Sequence, residues 1–468
     1  MSFLIKYRVA IVIALLFLIR LYGIQHPPLE VNHHWRQVTG LMVARNYHEG
    51  NTDFFHPMID DIGVGESASS GVVGMEFPAL NYVYASISNI FGHEHWYGRL
   101  IILILSSLGL WWFYLLLKEW KDSFFAFIGM VLLGCSIWFA FSRKFMPDVA
   151  SISLAIGALL YGLRYMRGAS WSNLIMYGLL ASLAMLIKIP AAIVLSGMLI
   201  MLFQKEIPLK NKIKIVIISI IPITVTYWWY FVWNIQLSQQ SGIWYNSGES
   251  FGEGLHTVLD NLDLVASNFY FSVTMSYVAL SLVLLGIFRA IQRKEFKLLA
   301  LTTLVFGVFF LYAIKSGRHF VFQHYYMIPL APLYAVLATS GLISIIQRKA
   351  MWVLFAVICV ESLANQAHDF RIHNRNLYKM KLESIVSDHI PQNVLVVING
   401  EGNPQELYLA HRKGWVCTSA QLDDATYLNL VKSAGASYLV VNKHRYLGRL
   451  VHKSVYEDED YIIFDLKF

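Results

Sequence analysis

Two glutamates, Glu30 and Glu76, lie in the part of this sequence best supplied with reactive side chains, the polar stretch 25–99. A carboxylate can take a proton from a hydroxyl, or hold a divalent cation against a phosphate. As a solvated loop acid or a helix-cap partner it would do neither. Between the two acids stands HHWRQ, residues 33–37. His33, His34 and Arg36, with Trp35 among them, can bind phosphate, stack on a sugar ring or coordinate metal. The same residues would also serve as an interfacial aromatic anchor with the arginine bonded to backbone. Asp53, Asp60, Asp61 and Glu66 are further acids of this stretch, and the first three are expected to be solvated.

Three more groups place charge beside apolar sequence. FSRKFMPDVAS contains Arg143, Lys144 and Asp148. Asp148 opens an apolar run, so its side chain has a second reading as a helix cap. Lys188 stands alone in LIKIPAAIV. A charge in such surroundings is costly and takes an anionic partner, either a lipid phosphate or an acidic side chain; a ligand role is the expectation. KSGRHFVFQHYYMIPLAP, residues 315–332, gathers Lys315, Arg318, His319, His324, Tyr325 and Tyr326. Tyrosines alone would form an aromatic belt. Joined by two cations and two histidines, they have the makings of a phosphate and sugar site.

The elements that must position these groups are membrane spans. Of the 468 residues, 56% are hydrophobic and 14% charged, and the mean hydropathy is +0.51. Soluble domains carry roughly 25% charged residues. A span needs about 20 mostly apolar residues, and with short runs accepted the chain offers about eleven. The first runs from Val9 to Tyr22; the others cover 98–117, 124–142, 148–165, 172–188, 190–204, 215–233, 275–290, 297–314, 326–346 and 351–365. The first run has no small-residue cleavage pattern, so it reads as an uncleaved span and not as a signal peptide. Lys6 and Arg8 precede it, and the basic groups at 118–121, 164–167, 205–214, 289–297 and 348–349 fall on alternate loops. The loop from Asn234 to Val273 has no Lys or Arg. This asymmetry predicts a cytoplasmic N-terminus and a C-terminus on the outer side. It also accounts for the net charge of +7 without nucleic acid, which is not expected as a partner. Cys135, Cys359 and Cys417 lack ligand spacing, so neither a disulfide framework nor a cysteine zinc site is expected.

Beyond about residue 365 the pattern changes. Val394–Ile398, Tyr438–Val441 and Tyr461–Phe464 read as buried strands, with helices at Gln405–His411 and Asp423–Ser433. The alternation predicts a small α/β domain. NGEGNP after the first strand lacks the GxGxxG spacing of a dinucleotide site, so the domain reads as a lid, an acceptor-docking element or a structural one. The expected division is 1–365 for the membrane domain, including the loop 25–97, and 366–468 for the α/β domain.

The ordered set HHWRQ at His33, EFPALNYVYA at Glu76, WYGRL at Trp96, RKFMPDVAS at Arg143, LIKIPA at Leu186 and HYYMIPLAP at His324 resembles the bacterial GT-C glycosyltransferases of the family 39 type. These are related to protein O-mannosyltransferases and lipid A aminoarabinose transferases, and the likeness extends through about residue 340. It implies a membrane all-α polytopic bundle of GT-C architecture with a small C-terminal periplasmic α/β domain. It implies inverting transfer of a sugar from a polyprenyl-phosphate donor to a lipid, glycan or protein acceptor at the outer face of the bacterial inner membrane. Relatives use an acid of the first outer loop as base, often in an Asp-Glu pair. Here Leu29 precedes Glu30, the pair is not intact, and Glu30 is the leading base. Glu76 corresponds to an acid that supports the site or a metal; no cofactor is assigned, and a divalent metal is left open. Asp148, Lys188 and Tyr326 correspond to site and donor-phosphate positions. The histidines and Arg36, together with Arg143, Arg318, His324 and Tyr325, complete the expected donor-binding set. Two alternatives remain at this level: a pyrophosphate-donor oligosaccharyl or ligase-type transferase, and a transporter or flippase of a lipid-linked sugar. A transporter would carry polar groups at the midplane of broken helices.

Overall fold

The structure, a computed structural model, describes residues 2–63, 70–241, 248–448, 450 and 452–467. Glu66 lies outside the described residues. The chain forms two compact units. The first comprises Met1–Ile24, Arg99–Tyr230 and Ser247–Phe370; the second comprises Gln25–Gly98, Phe231–Asn246 and Arg371–Phe468.

The first unit is helical because its runs of Leu, Ile, Val and Phe must satisfy every backbone N–H and C=O within the segment when lipid surrounds them. Local signals set helix starts. Asp122 accepts from the amides of Phe124 and Phe125, Ser276 accepts from the Ala279 amide, and Pro147 occupies a first turn. Among the described residues five helices are long and apolar enough to cross a membrane: Tyr97–Trp120, Pro147–Gly168, Leu209–Gln239, Phe296–Ser316 and His324–Ile343. The pair Leu262–Ser272 and Tyr277–Gln292, bent by 86°, would make a sixth. Ser123–Cys135, Trp171–Ile187 and Ala191–Leu202 are shorter apolar helices. Ile217, Ile220 and Ile223 are more than half exposed along one helix, a surface suited to lipid and not to water. This is a multi-pass membrane protein.

Inside the unit, two helices meet at glycines. A Cβ on Gly286 would stand 2.0 Å from the Leu337 carbonyl oxygen, and one on Gly341 2.0 Å from that of Leu282. The helices Tyr277–Gln292 and Ala331–Ile343 approach this closely only because no side chain intervenes. Buried charge is also paired or hydrogen-bonded here. Lys144 and Asp369 form an ion pair of 2.7 Å, each 2% exposed. Arg20 donates to the hydroxyls of Ser106, Ser107 and Ser142.

The second unit carries the predicted α/β fold. Strands β1 (Leu395–Ile398), β2 (Gly414–Val416), β3 (Ala436–Asn442), β4 (Lys453–Glu457) and β5 (Tyr461–Asp465) form one sheet in the order β2-β1-β3-β5-β4. The first three are parallel, and β5 is antiparallel to both β3 and β4. Val397, Leu439, Val441 and Phe464 lie in its apolar core. The stretch 25–98 packs onto this sheet. Asp61 bridges Gly414 of β2, and the Ile62 amide donates to the Gly414 carbonyl at 3.0 Å. The loop thus covers a sheet edge that would otherwise expose its hydrogen-bonding groups.

Candidate functional site

In the first unit, Asp148 lies in the first turn of Pro147–Gly168, and its side chain does not cap that helix. Its Oδ1 instead accepts from Lys188 Nζ at 2.5 Å. The anionic partner expected for Lys188 is therefore an acidic side chain. Asp148 Oδ2 has no hydrogen-bond partner among the described residues. Lys188 follows the helix Trp171–Ile187 in extended backbone. Its ammonium stands 5.0 Å from the Tyr325 ring centre and 5.8 Å from that of Tyr326, within cation–π range. Tyr326 stacks on Tyr312 at 5.7 Å and on His319 at 6.3 Å. The Tyr325 hydroxyl donates to Gln323 at 2.5 Å.

These tyrosines are held by the tight helix His324–Leu330. Pro329 lacks an amide hydrogen, and the run ends at Ala331-Pro332, which favours a short tight segment over a continuous α-helix. The same proline lines an apolar groove of about 940 Å³, its open side included, with Ile156, Val194 and Val336. Arg167 and Lys297 add cations to the groove wall.

The other expected residues of this unit have different surroundings. Arg143 Nη2 donates to the Tyr22 carbonyl at 2.8 Å, and its guanidinium lies 4.5 Å from the Phe370 ring centre. The Arg318 amide donates to Glu249 at 3.0 Å. His324 packs edge-on against Phe141 at 5.3 Å.

In the second unit, Arg36 and Glu76 form an ion pair. Glu30 is buried, and its backbone bridges Ile372 in antiparallel fashion. His33 takes a left-handed conformation, φ 57°, just before the helix His34–His48. Asn403 Nδ2 donates to His34 Nε2 at 3.3 Å. Burial pushes the His34 imidazole below its usual range, with the Lys379 charge acting the same way, so a neutral ring can accept this bond. The expectation of solvated aspartates fails for two of three. Asp60 is 3% exposed, ion-paired with Arg45 and bonded by Asn46 Nδ2 at 2.9 Å. Asp61 is pushed up to about 6 by burial. The buried Arg45, fifteen residues earlier, is what draws Asp60 in. Only Asp53 stays exposed, beside His56.

Sequence reasoning left out Tyr312, Gln323, Asn403 and Gln405. Tyr312 reads as one more apolar span residue, and Gln323, Asn403 and Gln405 as polar loop or helix-start residues. Each acquires its role from a partner distant in sequence or set by backbone shape. Among the described residues, no group of three or more His, Cys, Asp and Glu side chains converges as metal ligands would.

Comparisons with known proteins add a frame to this geometry. The sequence profile of the family described as dolichyl-phosphate-mannose-protein mannosyltransferase matches residues 76–231. Two crystal structures of ArnT from Cupriavidus metallidurans match with TM-scores of 0.63. The one bound to undecaprenyl phosphate is 9% identical and covers 98% of both chains. The apo one is 10% identical and covers 98% of this chain and 97% of its own. The archaeal oligosaccharyltransferase AglB from Archaeoglobus fulgidus, in complex with an inhibitory peptide and a dolichol-phosphate, matches with TM-score 0.57 and 13% identity. That match covers 94% of this chain and 70% of AglB. No match was found among curated proteins. The backbone is therefore shared with ArnT along nearly its whole length and with AglB along most of its own, and the mannosyltransferase profile falls within it over residues 76–231.

Proposed function

We propose that this chain is an inverting glycosyltransferase that moves a sugar from a polyprenyl-phosphate donor to an acceptor hydroxyl at the outer face of a bacterial inner membrane. The observation that carries the reading is the oriented Lys188 ammonium. Asp148 fixes it at 2.5 Å, two tyrosine rings flank it, and the same tight helix borders an apolar groove. An ammonium has three donors, of which Asp148 takes one. A cation beside aromatic faces and a lipid-compatible groove suits a phosphate attached to an isoprenoid chain. The lipid phosphates named with the ArnT and AglB structures support the same class of donor.

In this reading Glu30 takes the proton of the acceptor hydroxyl. The acceptor oxygen forms a bond to the anomeric carbon as the bond from that carbon to phosphate oxygen breaks. The electron pair leaves with the lipid phosphate, whose developing charge Lys188 stabilises. Arg36 and Glu76, as a pair, orient the first loop, and His33, His34, Arg143, Arg318, His324, Tyr325 and Tyr326 are assigned to donor recognition. The acceptor is a lipid, a glycan or a protein.

The test is turnover of a panel of undecaprenyl-phosphate-linked hexoses and pentoses, with mass spectrometry of released undecaprenyl phosphate. Glu30→Gln is expected to lower transfer by about 10²-fold or more, while the protein still inserts and binds donor. Full activity of this variant would remove Glu30 as the base and point to Glu76.

A further inference from the structure

The sheet of the second unit has a topological switch point. From β1 the chain crosses to β2 on one side and then to β3 on the other. In open α/β sheets, ligands bind at such a point, outside the carboxyl ends of the strands. Here the loop 399–404 and the helix Gln405–Leu409 occupy that end of β1. What they hold is a segment of the same chain. Gln405 Nε2 donates to the Pro28 carbonyl at 2.9 Å. Asn403 contacts His34 at 3.3 Å, and Glu30 bridges Ile372 between these two anchors.

The grip is built from buried groups. Gln405 is fully buried, and its Oε1 accepts from Lys379 Nζ at 2.9 Å. Lys379 also pairs with the fully buried Glu406 at 2.9 Å. Glu406 in turn accepts from Asn442 Nδ2 at 3.1 Å, and the Asn442 amide donates to Asn399 at 2.6 Å. Asn399 and Asn442 stand at the carboxyl ends of β1 and β3. A continuous chain of polar contacts therefore runs from the switch point to a carbonyl two residues before Glu30. Each buried member would cost free energy if left without its partner, so the arrangement specifies one position for Gln405.

We infer that the C-terminal α/β unit is a clamp whose switch-point crevice holds residues 28–34 and thereby positions Glu30, with Gln405 as the positioning residue. The inference rests on the reading of Glu30 as the base for its catalytic consequence. The clamp itself is independent of that reading.

Two substitutions separate the contacts. Gln405→Leu removes both. Gln405→Glu keeps an acceptor for Lys379 but, as a carboxylate, has no hydrogen to donate to Pro28. The measurement is hydrogen–deuterium exchange of the full-length protein in nanodiscs. Both variants are expected to exchange at residues 29–37 about 10-fold faster than wild type, and Gln405→Glu to leave β1 and β3 protected as in wild type. Unchanged exchange at 29–37 in both variants would overturn the clamp. For a donor of the undecaprenyl-phosphate panel that the wild type turns over, Gln405→Glu is expected to lower kcat about 10-fold with KM unchanged. An unchanged kcat with faster exchange would overturn the positioning role. Absence of wild-type turnover on the whole panel would count against the glycosyltransferase reading, while exchange alone still decides the clamp.

Discussion

Lys188 and Asp148 show how a pair gives each member more than it has alone. A lone ammonium among apolar residues would lose hydration that nothing replaces. Asp148 at 2.5 Å supplies a partner and fixes the direction of the charge. Lys188→Met is therefore expected to lower kcat by about 10²-fold, on the scale of removing one preorganised donor from a transition-state site. Asp148→Asn retains a hydrogen-bond acceptor and should cost less. Single-turnover release of undecaprenyl phosphate measures both; equal activity of wild type and Lys188→Met would remove Lys188 from the donor site. That Lys188 needs an anionic partner was legible in sequence, because a single cation interrupting an apolar run is costly without one. The choice between an acidic side chain and a lipid phosphate as its nearest partner was not, since Asp148 lies forty residues earlier on another helix. Asp60 makes the same point. Its pairing with Arg45 needs the helix His34–His48 to lie against the loop, and no local pattern around Asp60 says so.

The next scale is the contact between the first loop and the α/β fold, where a histidine group adds pH dependence. His411 Nε2 lies 2.7 Å from Glu49, and its Nδ1 lies 3.3 Å from Glu383. His95 stands 3.6 Å from Glu383, and His93 packs among His48, His95 and His411. Donating to Glu383 and Glu49 raises the His411 imidazole above its usual range, against burial and the Arg45 charge. Burial alone would raise Glu49, but His411 and Arg45 bring it down to about 2. The bonds from His411 and then His95 hold Glu383 well below the usual carboxylate range. Burial pushes His93 down to about 3, with Arg45 and the three neighbouring histidines adding to it.

The signs give a maximum. A raised His411 contributes stability that is complete below about pH 6.5 and is lost as pH rises through its folded value. A depressed His93 contributes stability that is present above about pH 6.5 and is lost as pH falls toward its folded value. The two carboxylates contribute above about pH 4.3 and lose their share as pH falls further. Thermal unfolding followed across pH is therefore expected to peak near about pH 6.5. His411→Gln should flatten the alkaline limb, and His93→Phe should flatten the acid limb above about pH 4.3. A profile unchanged by both substitutions would exclude the group as its source. Strand elements followed a similar division of legibility. β1, β3 and β5 were readable as buried apolar runs. β2 is only three residues long, and β4 is mostly exposed, so neither carries the apolar run of a buried strand. β2 also depends on Gly414, where a Cβ would meet the Val396 carbonyl oxygen at 1.8 Å. That close approach is a property of the folded sheet.

For the whole molecule, the reading proposed above places the second unit on the outer side, as the alternation of basic loops in the sequence predicts. Glu459 lies at the exposed turn between β4 and β5. A Glu459→Cys variant is expected to react with a membrane-impermeant maleimide in intact spheroplasts. Reaction only after lysis of the inner membrane would reverse the orientation and, with it, the outer-face reaction. The two-unit organisation also changes what the C-terminal region is for. Read along the chain, it follows the last apolar run as a separate domain. In the structure it forms one compact unit with 25–98 and 231–246.

The sequence by itself determined the apolar, helical character of most of the chain and the small α/β fold at its end. These depend on composition, on period and on the charge of short loops, all of which are local quantities. Only the tertiary structure decided that Lys188 is paired with Asp148, that Asp60 is buried with Arg45, and that Gln405 holds the backbone leading to Glu30. Each of these joins positions 15 or more residues apart, and up to 377. Such contacts are selected by which surfaces pack together, and a pattern read along the chain carries no distance across it.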